Sequence, residues 1–322
     1  MRLKQVLLQL SDNMKIKKMK KISILFFAIC FGGILKAQQL PQITQYMNNN
    51  YAINPAVAGM YDYYQVNTSI RNQWVGMADA PRTTVLSIYG RKSSNVGLGG
   101  LVFNDQAGPT SRIGGSASYT YSFSMTKAIK ISFALSGGVT QFKICKECLD
   151  VKDQNDPLML GGDVVRTLPD ATFGFNMYGD KWYFGAAIPQ LLSSELKLMD
   201  DDFVRIYDAT SQNGKLASHI YVLGSYTYDI NSAISIEPSF FLKSVAGAKA
   251  QIDFSIKSEY RNMFWLGANY KMNNDFSSIA ALLGYNINDN FNIGYSYGMP
   301  SSTTSNYYSG SHEFMLGVKF PR

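Results

Sequence analysis

Long, unbroken alternation of apolar and polar side chains constrains this sequence more than any other feature. From Ala248 to Ile256 every second residue is apolar, and polar residues fill the positions between them and continue to Glu259. Residues 112–123 and 313–320 repeat the pattern. Successive side chains of a β-strand point to opposite faces, so a period of two predicts strands. Many of these strands reach the length of about 9–11 residues that a tilted membrane strand needs, beyond the five or six usual in soluble sheets.

Applied to the whole chain, the pattern predicts fourteen strands. They cover residues 61–73, 83–91, 96–105, 111–125, 128–142, 169–178, 181–189, 217–229, 232–244, 248–260, 262–272, 276–287, 290–299 and 311–320. An even number is typical of bacterial single-chain membrane barrels. The predicted fold class is therefore all-β, a transmembrane antiparallel β-barrel of about 14 strands, with an N-terminal plug or periplasmic arm.

The connections between these strands sort by length. Every second connection is tight, as at Thr126-Lys127, Gly179-Asp180 and Asn288-Asp289. The other set contains all the long loops, at residues 143–168, 190–216 and 300–310. Short periplasmic turns and long extracellular loops are typical of outer-membrane barrels, whereas a soluble β-sandwich has no reason to sort its loops in this way.

The net charge of +7 comes from the N-terminal leader. Of 30 basic and 23 acidic side chains, eight and one fall in residues 1–37, which leaves 22 of each. This balance removes the main support for a nucleic-acid partner. The leader has a lysine-rich stretch, an apolar run from Ile22 to Leu35 and a small residue at Ala37, the order of a secretory signal peptide. We expect cleavage after Ala37; a retained N-terminal anchor is the alternative.

The mature chain divides into two parts. Residues 38–60 precede the first strand and are rich in Asn, Gln and Tyr, with turn-forming residues at Asn54-Pro55 and Gly59. We expect this segment to be a plug or a periplasmic arm, and residues 61–322 to form the outer-membrane barrel. Because the polar faces of the strands carry Ser, Thr, Asn, Gln and charges of both signs, we expect a polar, wet lumen unless something fills it.

Few residues suggest chemistry. Cys145 and Cys148 begin the loop after the fifth strand, and outside the cytoplasm a disulfide is the favoured reading, with free thiols and a metal or redox site as alternatives. His219 and His312 lie on distant strands and read as lumen or rim residues. An acidic loop, Asp200-Asp201-Asp202 with Asp208, lacks a regular Ca²⁺-ligand spacing. Gly97-Leu98-Gly99-Gly100 belongs to a strand rather than to a phosphate loop. We predict no catalytic, metal or cofactor site, and a non-enzymatic protein.

Five motifs in residues 39–110 resemble those of the PorP/SprF family of type IX secretion system membrane proteins, in the same order and with similar spacing. They are Gln45-Tyr46-Met47, Asn54-Pro55-Ala56-Val57-Ala58-Gly59, Arg71-Asn72-Gln73-Trp74, Ala80-Pro81-Arg82-Thr83 and Asn104-Asp105-Gln106-Ala107-Gly108-Pro109-Thr110. The rest of the chain matches that family in length, strand pattern and a final strand ending in Phe320.

The resemblance implies a barrel in the outer membrane of a Gram-negative bacterium. It implies a role in secretion or cell-surface anchoring of a particular adhesin or enzyme, as in gliding and adhesion. The implied partners are cargo with a type IX C-terminal domain and periplasmic or outer-membrane type IX components, including a peptidoglycan-linked lipoprotein. The barrel also contacts outer-membrane lipid, and no nucleic-acid partner is implied.

The predicted topology adds one hypothesis. Residues 74–82 and 104–110 fall on connections of the long-loop set, after the first and third strands, so they should be neighbours at one rim. We expect them to form a platform organised by Arg71, Trp74, Arg82 and Asp105, in which Pro81, Asn104, Gly108 and Pro109 either form turns or contact cargo. The long loops 143–168 and 190–216 are the better candidates for cargo specificity.

Two rival functions belong to other classes. One is an outer-membrane channel or transporter for small or hydrophobic solutes, which predicts an apolar pocket in the lumen, whereas the inward faces read as polar. The other is a structural or adhesive barrel, which predicts an unchanged set of secreted proteins in a deletion strain.

Overall fold

The computed structural model describes residues 42–149, 151, 162–196, 214–272, 277–300 and 307–321. The predicted leader and the Asp200–Asp202 cluster with Asp208 lie outside these residues. Fourteen strands form the barrel wall: β1 (Tyr63–Asn72), β2 (Arg82–Arg91), β3 (Val96–Ala107), β4 (Thr110–Ser124), β5 (Lys130–Ile144), β6 (Val164–Tyr178), β7 (Trp182–Ile188), β8 (His219–Tyr226), β9 (Ile234–Val245), β10 (Gln251–Tyr260), β11 (Phe264–Met272), β12 (Ser278–Asn286), β13 (Phe291–Gly298) and β14 (Ser311–Pro321).

Each strand pairs antiparallel with the next, and β14 pairs back onto β1 from Tyr63 opposite Pro321 to Asn72 opposite His312. The sheet therefore closes, and the predicted all-β, 14-stranded antiparallel barrel is confirmed. Three short pieces complete the described strands. Tyr228–Asp229 continues β8, and Glu195–Leu196 pairs with Gly214–Lys215. The break after β8 faces Pro238 of β9, which has no N–H to donate to the ladder.

The two faces of the wall are those that the alternation predicts. On β10, Phe254 and Ile256 are half exposed on the outside, whereas Asp253 and Ser255 are buried inside. On β14, Phe314 is exposed outside and Glu313 is buried inside. The outward side chains form the apolar surface that faces lipid, and the inward side chains line the lumen.

The connections give the barrel two different ends. Residues 92–95, 125–129, 179–181, 230–233, 261–263 and 287–290 are tight turns at one end, which we call the short-turn end. Residues 145–163, 189–218 and 299–310 are the longest connections at the other end, which we call the long-loop end. The described residues contain no helix that is long and apolar enough to cross a membrane.

Residues 42–60, the lumenal segment, lie inside the barrel and carry its core. Two 3₁₀ turns, Asn50–Ala52 and Pro55–Gly59, shape the segment. The second begins because Asn54 caps it, accepting a hydrogen bond of 3.0 Å from the Ala56 N–H, and because Pro55 suits the first position of a turn. Tyr46 and Val57 are completely buried against the inner faces of the strands. A fourteen-stranded barrel is too wide for its own side chains to fill, and here the N-terminal chain fills it.

Candidate functional site

A buried carboxylate anchors the start of the lumenal segment. The Glu313 side chain, 1% exposed, accepts the backbone N–H of Thr44 at 2.8 Å and that of Gln45 at 3.1 Å. Arg71 on the neighbouring strand donates to the same carboxylate at 3.2 Å and also to the Thr44 hydroxyl. One carboxylate thus binds two consecutive backbone amides of the segment and is balanced by one guanidinium. Both charged side chains belong to strands of the wall, and the segment contributes only backbone N–H groups and a hydroxyl.

Neutral hydrogen bonds hold the rest of the segment. Their donors and acceptors on the wall are small inward side chains of four different strands, and each contact lies between 2.8 and 3.2 Å. The pairs are Tyr46 with Ser239, Asn49 with Ser87, Tyr51 with Ser118, the Pro55 carbonyl with Thr120 and the Ala56 carbonyl with Ser132. Burial raises the pKa of both Tyr46 and Tyr51 to about 12, because a phenolate there would lose its hydration. Both tyrosines are therefore neutral at any physiological pH.

Two chambers border the lumenal segment on opposite sides. The upper chamber lies in the long-loop half, has a volume of 130 Å³, and is bounded by Ile53, Val85, Leu101, Phe103, Phe241 and Lys243, among others. The lower chamber lies in the short-turn half, has a volume of 270 Å³, and is bounded by Tyr61, Tyr63, Glu237, Lys257, Glu259 and Lys319, among others. The segment therefore separates two spaces of different chemistry.

The lumen is filled by the segment, and the prediction that the inward faces are polar is wrong for part of the wall. Val85, Leu101 and Phe241 point inward and pack against Ile43 and Ile53 of the lumenal segment or lie beside them. The physical reason is that this part of the wall is covered by the segment and not by water. The signal was present in the sequence of β3, where Leu101 and Phe103 are apolar on the same face as Asp105, but a preference for polar inward faces concealed it.

The structure distributes the motif residues over three places. Asn54, Pro55 and Gly59 belong to the lumenal segment, where the Asn54 amide also donates to the Phe175 carbonyl at 2.8 Å. Arg71 and Asp105 point into the lumen. Asp105 joins three strands from inside, accepting hydrogen bonds from Thr83 of β2 at 2.6 Å and Arg112 of β4 at 2.9 Å. Asn104 lies on the outer face of β3.

The remaining motif residues meet at the rim of the long-loop end. Residues 73–81 form a compact loop closed by a hydrogen bond of 2.9 Å from the Gln73 N–H to the Pro81 carbonyl, next to the exposed Arg82. The Gly108 N–H donates to the Asp79 carbonyl at 2.9 Å, so this loop and the turn between β3 and β4 are in contact. Trp74 has a positive φ of 51°, unusual for a bulky residue, and its ring lies 6.2 Å from that of Tyr308.

The rim contact continues to the cysteine pair. The Cys145 N–H donates to the Pro109 carbonyl at 2.8 Å, and Cys145 and Cys148 are joined in a disulfide with their Cα atoms 5.3 Å apart. Lys143 and Asp163 form an ion pair of 2.8 Å across the base of the same loop. We name the loop 73–81, the turn 108–109 and residues 145–148 together the rim platform.

Neither histidine lies in a cluster of metal ligands. His219 is buried in the lumen with Nδ1 2.8 Å from the Ala217 carbonyl, and His312 lies on the outer face with Nδ1 2.7 Å from the Tyr295 hydroxyl. Within the described part of the chain, no three His, Cys, Asp or Glu side chains converge as a metal site requires. Sequence reasoning assigned no role to Glu313 or Thr44 and did not foresee that Gln45 binds Glu313, because this pairing depends on how the segment enters the lumen.

Comparison with known proteins agrees with this architecture. Residues 35–318 match the family described as type IX secretion system membrane protein PorP/SprF. No match is found among curated proteins. The toluene transporter TbuX of Ralstonia pickettii is similar in structure, with a TM-score of 0.52 and 10% identity over 87% of this chain and 94% of that one. The toluene transporter TodX of Pseudomonas putida gives 0.46 and 10% identity over 84% and 93%. At such identities, the likeness concerns the fold alone.

Proposed function

Because the chain belongs to the PorP/SprF family of type IX secretion system membrane proteins, we propose that it docks a specific adhesin or enzyme cargo at its long-loop end during secretion or cell-surface anchoring. The protein is an outer-membrane barrel of a Gram-negative bacterium. The proposal adds to this that cargo binds the rim and does not pass through the lumen.

The anchored lumenal segment is the observation that carries this proposal. It is bound to Glu313 and Arg71 at its start and to small side chains along its length, and it leaves chambers of 130 and 270 Å³. A helix with its side chains is about 10–12 Å across, so a polypeptide crosses this lumen only after the segment has left it. Docking on the barrel requires no such rearrangement.

The rim platform and the loops beside it are the proposed docking surface. Loops positioned by a rigid scaffold commonly carry binding residues. The loop 73–81 of the platform connects β1 directly to β2, and the hydrogen bond from Gln73 to Pro81 closes its base. Trp74 is 38% exposed and presents an aromatic side chain of the kind enriched in binding interfaces. The neighbouring long loops, residues 145–163 and 189–218, would supply specificity for one cargo.

The opposite end suits the machinery of the periplasm. Short turns of outer-membrane barrels face the periplasm, so the short-turn end is where periplasmic type IX components would bind. A peptidoglycan-linked lipoprotein is the partner that the family relationship suggests. Cargo and machinery would then occupy opposite ends of one rigid barrel.

A channel for small or hydrophobic solutes is the second candidate. The apolar wall of the upper chamber favours it, and the anchored segment opposes it. Flux of small solutes through liposomes containing the barrel separates the two functions. Rapid flux, together with normal cargo secretion in a deletion strain, would overturn the secretion proposal.

A covalent lock tests docking against passage. A Cβ atom on Gly59 would lie 3.7 Å from that of Ser122, within the range that a disulfide needs, so a Gly59→Cys/Ser122→Cys pair should tether the segment to β4. We expect cargo secretion to continue with the lock oxidised. The same variant in reductant is the matched control. Secretion that stops only in the oxidised form would show that cargo needs the lumen, and docking at the rim would be refuted.

A further inference from the structure

Four polar residues of the sequence motifs lie on the outer face of three neighbouring strands. They are Asn72 at the end of β1, Arg82 at the start of β2, and Asn104 and Gln106 of β3. Cross-strand register places Arg82 opposite both Asn72 and Gln106. These three form one row at the long-loop end, and Asn104 lies in the next row toward the middle of the barrel wall. We call these four residues the wall patch.

The length of β2 places this row at the outer boundary of the apolar band. β2 has ten residues, and at about 3.3 Å per residue and a tilt of about 40° it rises about 25 Å, the height of the apolar band in outer-membrane barrels. Arg82 is its first residue at the long-loop end, and Leu86 and Ile88 on the same face are about half exposed. Tyr297 of β13 lies in the same row, two strands from Asn72, as in an aromatic girdle. The row therefore lies where the acyl chains of the outer leaflet end and the lipid headgroups begin.

The polar groups of the wall patch need partners from outside the barrel. An amide or a guanidinium without a polar partner is unfavourable next to hydrocarbon. Within the described part of the chain, no carboxylate forms an ion pair with Arg82, and this includes Asp79, the acidic residue closest to it in sequence. The carboxylates of the flanking strands, Asp105 and Glu313, are buried in the lumen and already bonded there.

The chemistry of the wall patch matches a phosphorylated sugar. A guanidinium binds phosphate through paired N–H donors, and amide side chains donate to hydroxyl groups and accept from them. Phosphorylated sugars form the headgroups of the outer-leaflet glycolipid of Gram-negative bacteria. The wall patch is continuous with the lipid-facing surface, so one lipid reaches the apolar band with its acyl chains and the patch with its headgroup. A protein interface would instead be expected to contain aromatic anchors, and none of the four residues is aromatic.

We propose that the wall patch binds the headgroup of an outer-leaflet glycolipid, with a phosphate against Arg82 and sugar hydroxyls against the amides of Asn72, Asn104 and Gln106. This site does not depend on the docking of cargo. It explains why four polar motif residues lie on a face that is otherwise mostly apolar.

Native mass spectrometry of the purified, detergent-solubilised full-length barrel tests the site, with diphosphoryl lipid A and the same lipid stripped of its phosphates as probes. We expect the phosphorylated lipid to bind about tenfold more tightly, the usual scale of one charge-assisted hydrogen bond. Arg82→Gln should remove that preference and leave binding of the stripped lipid unchanged. Asn104→Leu should weaken binding of both lipids about fivefold, the scale of one neutral hydrogen bond. Arg261→Gln is the matched control, since it removes the same charge at the short-turn end, and it should bind both lipids as the parent does.

Three results would overturn the proposal. Equal binding of the two lipids by the unmodified barrel, or binding of neither, would show that Arg82 does not recognise phosphate. Equal losses in Arg82→Gln and Arg261→Gln would reveal attraction by charge alone. Loss of cargo capture in Arg82→Gln, with lipid binding intact, would assign the patch to a protein partner. The shift in electrophoretic mobility on heating shows for each variant that the barrel is folded.

Discussion

Replacing Glu313 by glutamine should loosen the lumenal segment without unfolding the barrel. The glutamine has almost the same shape, but its amide group offers one acceptor oxygen where the carboxylate offers two. The N–H groups of Thr44 and Gln45 then compete for a single acceptor, and Arg71 keeps a buried charge without its carboxylate.

The size of the effect follows from these contacts. A hydrogen bond to a charged group contributes about 1.5–3 kcal/mol, and removing one partner of a buried ion pair costs about 3–5 kcal/mol. We therefore expect the segment to lose about 3–5 kcal/mol of its attachment, since the two terms share the same carboxylate. At about 1.4 kcal/mol per factor of ten, the detached population rises from about a hundredfold to several thousandfold. The neutral hydrogen bonds further along the segment, about 1 kcal/mol each, keep it mostly in place.

Hydrogen–deuterium exchange measures this directly. Amides in residues 44–60 should lose protection by about two to three and a half orders of magnitude, while those of the barrel strands should not change. Glu237→Gln is the matched control, because Glu237 forms a comparable pair of 2.7 Å with Lys257, another wall residue. An Arg71→Met/Glu313→Gln variant should recover part of the protection, since it removes the unpaired guanidinium. If Glu313→Gln and Glu237→Gln change exchange in residues 44–60 equally, the carboxylate is not the anchor.

Three further predictions concern the segment and the rim. Raising the pH from 10 to 12 should release the segment, because the pKa of Tyr46 and of Tyr51 is raised to about 12 when the segment is docked. Ionisation above pH 10 then favours the detached state by up to about 2–3 kcal/mol for each tyrosine. Tyr51→Phe should reduce the resulting loss of protection in hydrogen–deuterium exchange. Removing the disulfide by Cys145→Ser/Cys148→Ser should cost about 2 kcal/mol of local loop stability, seen as faster proteolysis after Ile144 with an unchanged melting of the barrel. Trp74→Ala should weaken capture of cargo from outer membranes, whereas Trp182→Ala at the short-turn end should not, and equal capture by both variants would remove Trp74 from the docking surface.

The wall of the barrel could be predicted because its physics is local. On β10 and β14 the polarity of each side chain indicates whether it faces lipid or the lumen, since the lipid-facing side is apolar and successive residues alternate between the two faces. The strand count and the sorting of loops follow from the same rule. Strand ends depend on pairing as well as on alternation: β6 begins at Val164, ahead of the predicted residue 169, because it continues to pair with β5 up to Ile144.

The interior could not be predicted in the same way. Alternation shows that Glu313 and Phe241 point inward, but it does not say what they meet there. Both lie more than 180 residues from the lumenal segment in sequence, and the contacts depend on where that segment enters the closed barrel. Grouping Arg71 with Trp74 illustrates the limit: they are three residues apart, yet one lies in the lumen and the other at the rim.

The lumenal segment links these observations. Without it, Val85 and Phe241 would face a wet lumen, Glu313 would have only Arg71 to balance it, and the small side chains of β4 and β5 would leave a wide space. With it, the lumen gains a hydrophobic core, and the outer wall remains apolar where it contacts lipid. A barrel stiffened in this way suits a docking role, because its rim platform stands on strands whose inner faces are fixed.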